Sequence, residues 1–259
     1  MKVALLLTQA ILASTLSFAQ VIPLPNAHAH NDYEHDKPLF DALSNGFTSV
    51  EADIFLIKDE LYVTHNKPVS LKNTKTLTEL YLQPLDEVVK ANNGQVYPGY
   101  SGSFYLMIDF KNDAEGTYAK LIEQLQPYKH LLKTKTQDGP VTIFISGERP
   151  ITAILNDPEN LVSLDGRPND LGQGITADKM PVVSTSFKSL GFWNGNGEIP
   201  FDIRLKIRQL SDAAHKEGKK LRLWATPDDP ASWQVLLNNG VDLLNADNLT
   251  ELKTFLLSK

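Results

Sequence analysis

Residues 47–55 read FTSVEADIF, an apolar, strand-like run that carries two carboxylates at alternate positions. Side chains two residues apart on a β-strand point to the same side of the sheet, so Glu51 and Asp53 share one face. Two carboxylates on one face of an apolar strand repel each other and are costly to remove from water. A hard divalent cation, which prefers oxygen ligands, would offset that cost. The stretch therefore predicts a buried strand with a metal-binding edge, and two surface carboxylates on an exposed strand are the alternative.

On both sides of this stretch, strand-like runs alternate with helix-like runs along most of the chain. Eight strands are predicted at Pro25–His30, Phe47–Phe55, Ser103–Phe110, Val141–Ser146, Leu161–Leu164, Pro181–Ser186, Lys220–Ala225 and Val241–Asn245. Amphipathic helices are predicted at Lys37–Leu43, Thr78–Ala91, Ala114–Leu125, Asp202–Lys216, Ala231–Asn238 and Leu249–Leu257. This alternation predicts a parallel sheet, of which a single (β/α)8 TIM barrel is the simplest closed form. An open, doubly wound sheet is the structural alternative.

Length and composition narrow the function classes. The 259 residues suit one such barrel. There are 25 Lys and Arg against 31 Asp and Glu, a net charge of −6, with no basic stripe. This balance argues against a nucleic-acid partner and against strong adhesion to an anionic membrane surface. Cysteine is absent, which excludes a thiol nucleophile and a thiolate metal site.

The first nineteen residues are typical of a secretory signal peptide. Lys2 provides a positive start, residues 3–16 are mostly apolar, and Ser17-Phe18-Ala19 places small residues at the −3 and −1 positions of a cleavage site. Cleavage after Ala19 would give a secreted or periplasmic protein. No later run of 18 apolar residues exists, so no integral membrane segment is expected in the mature chain.

Polar residues also fall at the predicted carboxyl ends of other strands, where barrel enzymes build their active sites. Asp109 ends the third strand and can reach the same point as Glu51 and Asp53. Lys111 shares the face of Asp109, and its ammonium group suits the oxygens of an anionic phosphate. A simple ion pair between Lys111 and Asp109 is the alternative interpretation.

Three of the six histidines lie near these carboxylates. His28 and His30 end the first strand. His65 follows a short β-excursion over residues 56–63 that turns at residues 58–60. Imidazole, with a pKa near 6.5, can act as a general base or a general acid near neutral pH. We therefore predict that His65 works with one of His28 and His30.

The order of these motifs resembles the signature of the glycerophosphodiester phosphodiesterase and phospholipase C-like superfamily. The matching segments are HAHNDY (28–33), PLFDAL (38–43), Gly46, SVEAD (49–53), LYVTH (61–65), DFK (109–111), Trp224 and GVDLLNAD (240–247). Spider sphingomyelinase D is similar in the same places. The motif His-x-His-Asn-Asp-Tyr resembles that of a poorly characterised branch, which includes the fungal "altered inheritance of mitochondria" proteins.

The resemblance implies that residues 20–259 form one phosphodiesterase domain that cleaves a small-molecule or lipid phosphodiester. It also implies one bound divalent cation, Mg or Ca. The site residues that it implies are Glu51, Asp53 and Asp109 as metal ligands, His30, His65 and Lys111 in catalysis, and Asn31, Trp224 and His28 in substrate binding. The product would be a phosphomonoester or, after attack by a hydroxyl of the substrate itself, a cyclic phosphate. The alcohol groups of the diester, and which histidine is the base, are left open.

Two departures from the family pattern concern a phosphate contact and a metal ligand. The usual His-Arg-Gly opening is replaced by His30-Asn31-Asp32, which removes an arginine and leaves Asn31 to contact phosphate. The third acid is Asp109, as in the sphingomyelinase D-like pattern, where the family often has Glu. The expected substrate is therefore less defined than the expected chemistry.

Two other functions compete with this interpretation. The His28-x-His30 pair resembles the opening of amidohydrolase-type barrels, which bind zinc or a similar metal, although the middle strands supply no further histidine. A catalytically silent barrel that binds a phosphorylated ligand or a polysaccharide is the second alternative. Metal analysis would test the first alternative, and a His65→Ala variant the second.

Overall fold

The computed structural model describes residues 21–259, and the predicted signal peptide, residues 1–19, lies outside the described residues. The strands are β1 (Leu24–Ala29), β2 (Phe47–Ile57), β3 (Glu60–Val63), β4 (Phe104–Phe110), β5 (Val141–Gly147), β6 (Ser163–Gly166), β7 (Val182–Ser186), β8 (Lys220–Trp224) and β9 (Leu243–Ala246). The helices are α1 (Phe40–Ser44), α2 (Gln83–Ala91), α3 (Ala114–Leu125), α4 (Ile151–Asn156), α5 (Phe201–Lys216), α6 (Pro230–Asn238) and α7 (Leu249–Leu257). A π-helical turn, Thr78–Leu82, leads into α2.

Eight of these strands form a closed parallel barrel. Going round the sheet, the order is β1-β9-β8-β7-β6-β5-β4-β2, and the pairing of β1 with β2 closes it. The predicted single (β/α)8 barrel is confirmed, and the open doubly wound sheet is wrong because both of its edges would be unpaired. Strand β6 begins two residues later than predicted, and the short helix α4 was not predicted.

Strand β3 is an addition to the barrel that shapes its carboxyl end. The last residues of β2, Ile54–Ile57, continue past the point where β1 stops pairing and bind β3 antiparallel instead. The hairpin turns at Lys58 and Asp59, whose φ angles are 51° and 63°, as a two-residue hairpin turn of the primed type requires. The predicted β-excursion is thus present, and it carries His65 back over the end of β2.

Side chains alternate between the two faces of each strand, so those that point into the barrel form layers. Met107, Phe144, Val182 and Leu243 form one buried apolar cluster contributed by four strands. Two residues further along the same strands, and so on the same face, the side chains are polar: Asp109, Ser146, Ser184 and Asn245. An apolar layer therefore supports a polar layer at the carboxyl end. The larger apolar cluster fills the space between the strands and the surrounding helices.

No helix within residues 21–259 is both long enough and apolar enough to cross a membrane.

Candidate active site

Three carboxylates meet at the carboxyl end of β2 and β4. The register pairs Asp53 directly with Asp109, and Glu51 precedes Asp53 by two residues. One oxygen from each of the three lies within 4.8 Å of the others. Oδ1 of Asp53 is buried and has no hydrogen-bond partner among residues 21–259. An all-oxygen donor set with a buried oxygen left free fits a hard divalent cation such as Mg²⁺ or Ca²⁺.

Glu51 is stabilised as an anion by groups behind it. Burial alone would raise its pKa, but the Arg222 guanidinium and the neighbouring His28 outweigh burial and lower the pKa to about 2. Nη2 of Arg222 lies 3.1 Å from Oε2 of Glu51, and its Nε donates to Oδ1 of Asn245 at 3.0 Å. Glu51 is therefore a permanently charged group at the floor of the site.

Lys111 lies between the other two carboxylates. Its Nζ is 2.8 Å from Oδ2 of Asp53 and 3.0 Å from Oδ1 of Asp109. Burial acts to lower the pKa of Lys111, but the two carboxylates outweigh it and raise the pKa above its usual value. Burial raises the pKa of Asp109, an effect that Lys111 partly opposes. The lysine thus stays cationic at the metal-binding edge.

Asp53 also holds His65. Nδ1 of His65 is 3.0 Å from Oδ2 of Asp53, and the Tyr33 hydroxyl donates to the same oxygen at 2.7 Å. Burial, reinforced by Asp53, raises the pKa of Tyr33 far above its usual value, so its hydroxyl remains a neutral donor. The same hydroxyl lies 2.9 Å from Oδ1 of Asn31. A carboxylate at Nδ1 leaves Nε2 of His65 available for proton transfer.

His30 has a matching arrangement on the other side of β1. Its Nδ1 is 2.8 Å from Oδ1 of Asp247, which follows β9. His30 and His65 are thus two histidine–carboxylate pairs in which Nδ1 is engaged and Nε2 is free. Their side chains are 35% and 52% exposed, so a ligand in the site can reach both.

His28 does not occupy the place that its assignment to substrate binding requires. It is fully buried, its Nδ1 lies 2.7 Å from Oγ of Ser49, and its Nε2 lies 3.5 Å from Oε2 of Glu51. Burial, followed by the charge of Arg222, lowers the pKa of His28 to about 4. His28 is therefore a neutral support beneath Glu51. The cause is strand geometry, because β1 ends at Ala29 and only His30 lies beyond it.

These groups surround a cavity of about 380 Å³. Its lining residues are His30, Asn31, Glu51, Asp53, His65, Asp109, Lys111, Ser146, Gly147, Arg167, Arg222 and Trp224. The Trp224 ring is 43% exposed and is therefore a wall of this cavity rather than a core aromatic. Apart from His28, every residue assigned to the site from the sequence lines this one cavity.

Several residues of the site were not assigned to it from the sequence, among them Tyr33, Arg167, Arg222 and Asp247. The two arginines provide the guanidinium groups that the opening motif lacks. Arg167 donates from Nη1 to Oδ2 of Asp165 at 2.7 Å and from Nη2 to Oγ of Ser146 at 3.1 Å. Arg222 could have been found, since it shares a strand face with Trp224 two residues later.

A second, larger depression of about 670 Å³ opens at the amino-terminal end of the barrel. Its wall includes Tyr105, His215 and Asp242, and it contains none of the three clustered carboxylates. Barrel enzymes carry their chemistry at the carboxyl end. The smaller cavity is therefore the candidate active site.

Comparison with known proteins gives matches in both sequence and fold. Residues 16–161 match the model of the AIM6-like phosphodiesterase domain. "Altered inheritance of mitochondria protein 6 homolog" from Arthroderma benhamiae is 33% identical over 91% of this chain and 84% of its own length. "Altered inheritance of mitochondria protein 6" from Saccharomyces cerevisiae is 32% identical over 88% of this chain and 70% of its own.

Solved structures with the same fold are more distant in sequence. The crystal structure of a glycerophosphodiester phosphodiesterase from Parabacteroides distasonis superposes with a TM-score of 0.57 at 17% identity, covering 90% of this chain and 97% of that one. A glycerophosphodiester phosphodiesterase from Agrobacterium tumefaciens gives 0.51 at 12% identity, over 89% and 100% of the two chains. At these identities the likeness establishes the barrel fold.

Proposed function

Because this chain belongs to the AIM6-like phosphodiesterase family, we propose that it is a metal-dependent enzyme that cleaves a glycerophosphodiester or a phospholipid-type diester in the cavity described above. The observation that carries the proposal is the presence of two histidine–carboxylate pairs, His30–Asp247 and His65–Asp53, beside a cluster of three carboxylates. Cleavage of a phosphodiester needs a base for the attacking hydroxyl and an acid for the leaving alcohol, and this arrangement supplies both.

The metal ligands of the proposed enzyme are Glu51, Asp53 and Asp109. Their fit to a hard cation rests on the all-oxygen donor set and on the free, buried Oδ1 of Asp53. When bound, a divalent cation supplies positive charge to the phosphate and lowers the pKa of the attacking hydroxyl. Both Mg²⁺ and Ca²⁺ accept such ligands.

The two histidines carry the protons. One of His30 and His65 removes the proton of the attacking hydroxyl at its free Nε2, and the other donates a proton to the leaving alcohol. Asp247 and Asp53 hold the rings at Nδ1 and stabilise the imidazolium that forms in each case. If the attacking hydroxyl belongs to the substrate, the product is a cyclic phosphate, and if it belongs to water, the product is a phosphomonoester.

Cationic side chains and the Trp224 ring bind the rest of the diester. Lys111 and Arg167 line the cavity with partly exposed side chains and donate hydrogen bonds to phosphoryl oxygens. Arg222 is buried and acts through Glu51, whose charge it balances. The exposed Trp224 ring offers an apolar surface to one alcohol group of the substrate.

Phosphorus NMR tests the proposal directly. A panel of glycerophosphodiesters and lysophospholipids is incubated with the enzyme and Mg²⁺ or Ca²⁺, and a chelator is added in a parallel sample. We expect a metal-dependent cyclic phosphate or phosphomonoester, lost by about 10²–10⁴-fold in His30→Ala and in His65→Ala. His130→Ala is the matched control, because His130 is also paired with an aspartate, Asp86, at 2.7 Å but lies outside the cavity.

The same experiment separates the competing functions. Within residues 21–259, the clustered metal-type residues are three carboxylates without a histidine, which gives the amidohydrolase-type hypothesis no support. Turnover that requires stoichiometric zinc would nevertheless support the amidohydrolase-type hypothesis. The absence of any product with any diester and either metal would contradict the proposed function and favour a silent, ligand-binding barrel.

Export of the protein is also part of the proposal and rests on residues 1–19 of the sequence alone. Expression of the full chain, followed by mass analysis of the extracellular or periplasmic fraction, tests it. We expect a product that begins at Gln20. A chain that retains Met1 and stays in the cytoplasm would contradict this assignment.

A further inference from the structure

Residues 66–77, between β3 and the π-helical turn, form a loop whose charge is opposite to that of the whole chain. The loop, called here the lysine loop, contains Lys67, Lys72 and Lys75 and no acidic residue. The chain as a whole has a net charge of −6. The net charge of the whole chain therefore does not reveal the local charge of +3 in this loop.

The three lysines of the lysine loop are exposed, and two of them have no acidic partner among the described residues. Lys67 and Lys72 are exposed, and neither forms an ion pair with any residue in the described part of the chain. Lys75 lies 3.5 Å from Glu79 in a pair that is itself exposed. Between the first two lysines, Val69 has a relative exposure of 106%. The loop thus presents a fully exposed apolar side chain between two unpaired cations.

The position of the lysine loop connects it to the active site. It begins directly after His65, which lines the catalytic cavity. A second exposed apolar side chain, Phe192 at 85%, lies in the segment between β7 and α5, which also leaves the carboxyl end of the barrel. Surface apolar groups together with lysines at one end of a protein are suited to the boundary between water and lipid.

We infer that the lysine loop docks the enzyme onto an anionic lipid bilayer, so that its diester substrate is taken from the membrane surface. This inference rests on the proposed phosphodiesterase function and specifies its substrate as a lipid. A soluble diester of ordinary size would be held within the cavity and would leave the loop without a partner. The apolar Val69 favours a bilayer over a soluble polyanion, because a polyanion would bind the lysines and leave the valine in water.

Sedimentation with vesicles tests the inference on the full mature chain. Vesicles of phosphatidylcholine alone are compared with vesicles in which one-third of the lipid is phosphatidylglycerol. Each lysine near an anionic surface strengthens binding by about fivefold. We therefore expect salt-sensitive binding to the anionic vesicles, weakened by about 25-fold or more in the double variant Lys67→Glu/Lys72→Glu. A Val69→Asp variant should weaken binding without removing a lysine.

The matched control is Lys135→Glu/Lys216→Glu. Both of these lysines are exposed and have no ion pair within the described residues, and they lie near the start of β5 and at the end of α5, at the opposite end of the barrel. The change in net charge is the same, so a difference between the two double variants reports position. Equal binding of both variants, or no binding of the original chain to anionic vesicles, would overturn the inference.

Two further measurements separate this inference from the proposed function. Turnover of a soluble glycerophosphodiester should be the same in the original chain and in both double variants, because none of the four lysines lines the cavity. Failure of the proposed function would appear as absent turnover in all three proteins, whatever the vesicles bind. Binding of the lysine loop to soluble polyphosphate but not to anionic vesicles would overturn the inference in favour of a polyanion.

Discussion

Asp53 and Asp165 are two fully buried aspartates on barrel strands, and their oxygens have different surroundings. Both oxygens of Asp165 are bound: Ser184 donates to Oδ1 at 2.6 Å, while Ser146 and Arg167 donate to Oδ2 at 2.8 and 2.7 Å. The donors around Asp53 converge on Oδ2, and its Oδ1 is buried without a partner in the described part of the chain. One aspartate is fully satisfied within the protein, and the other is not.

This difference indicates that Asp165 supports the structure, whereas Asp53 takes part in the chemistry of the site. A buried polar atom without a partner costs about 1–3 kcal/mol, so a fold retains one mainly where a ligand completes it. Asp165 accepts hydrogen bonds from two serines and fixes Arg167, whereas Asp53 retains an oxygen that a ligand in the cavity can bind. Replacing each aspartate by its amide should therefore affect different properties of the enzyme.

Asp53→Asn should have the largest effect on activity. The amide removes one charge of the metal-binding set and the carboxylate that orients His65, so we expect kcat/KM to fall by about 10³-fold. Stability should change by less than about 1 kcal/mol, because relief of repulsion from Glu51 and Asp109 offsets the lost contacts with Lys111. Steady-state turnover of a soluble diester and urea unfolding measure the two quantities.

An Asp53→Asn enzyme with activity within tenfold of the original would contradict this prediction, because Asp53 would then matter no more for activity than Asp165. Asp178→Asn is the matched control, since Asp178 is exposed and only its backbone carbonyl forms hydrogen bonds. It should leave both activity and stability unchanged.

Asp165→Asn should instead lower stability most. It leaves the partly exposed Arg167 guanidinium without its counterion and two serine hydroxyls without a charged acceptor, and losing hydrogen bonds to a buried charged group costs about 1.5–3 kcal/mol. Activity should fall by about tenfold, much less than for Asp53→Asn, because only the orientation of Arg167 is disturbed. Urea unfolding and kinetics on the same preparation check this result. A stable Asp165→Asn protein that has lost activity 10³-fold would reverse the assigned roles.

Asp32 is a third buried aspartate, and it has an oxygen without a partner among the described residues at a place outside the cavity. Its Oδ2 accepts from the backbone N–H of Leu39 at 2.6 Å and from the Tyr81 hydroxyl at 2.8 Å. Its Oδ1 is buried, and none of the residues that the structure describes donates to it. Within residues 21–259, no lysine or arginine forms an ion pair with it. Burial raises its pKa from 3.8 to about 6 despite these hydrogen bonds. Protonation is thus the alternative to ligand binding for such an oxygen.

The raised pKa predicts how stability depends on pH. Between pH 4 and 6 the folded state holds a proton on Asp32 that the unfolded state releases, so stability falls as pH rises through this range. The loss is at most about 3 kcal/mol and is constant above pH 6. Asp32→Asn lacks this titration, so its stability relative to the original chain should rise between pH 4 and 6. A difference between the two proteins that stays constant with pH would contradict the prediction.

The three clustered carboxylates and His65 could be predicted because local geometry determines their positions. Glu51 and Asp53 share a strand face by their spacing, and Asp109 ends the neighbouring strand, where the register places it opposite Asp53. His65 follows from the two-residue hairpin. These residues are positioned by the period of a strand and by the order of parallel strands, both of which can be identified in one sequence.

The second part of the site, in which Asp165 holds Arg167 and which is called here the arginine half, could not be predicted in the same way. Asp165 and Arg167 lie beyond the predicted strand Leu161–Leu164, in a segment rich in Gly, Asn and Pro, whereas the structure places Asp165 on β6. Their partners Ser146 and Ser184 come from the neighbouring strands, so the network appears only after the barrel closes. Tyr33 likewise reaches Asp53 across twenty residues. Contacts between distant segments leave no periodic signal.

Arg167→Lys should have the smallest effect and should show what the arginine half contributes. The planar guanidinium reaches Asp165 and Ser146 together, and a lysine keeps the charge but not this forked geometry. We expect KM to rise by about tenfold with kcat nearly unchanged, because the contact holds phosphate equally in the ground state and the transition state. Arg204→Lys, at an exposed arginine over the Phe201 ring, is the control. A fall in kcat at constant KM would mean that Arg167 acts on the transition state, and unchanged kinetics would mean that it only supports the fold with Asp165.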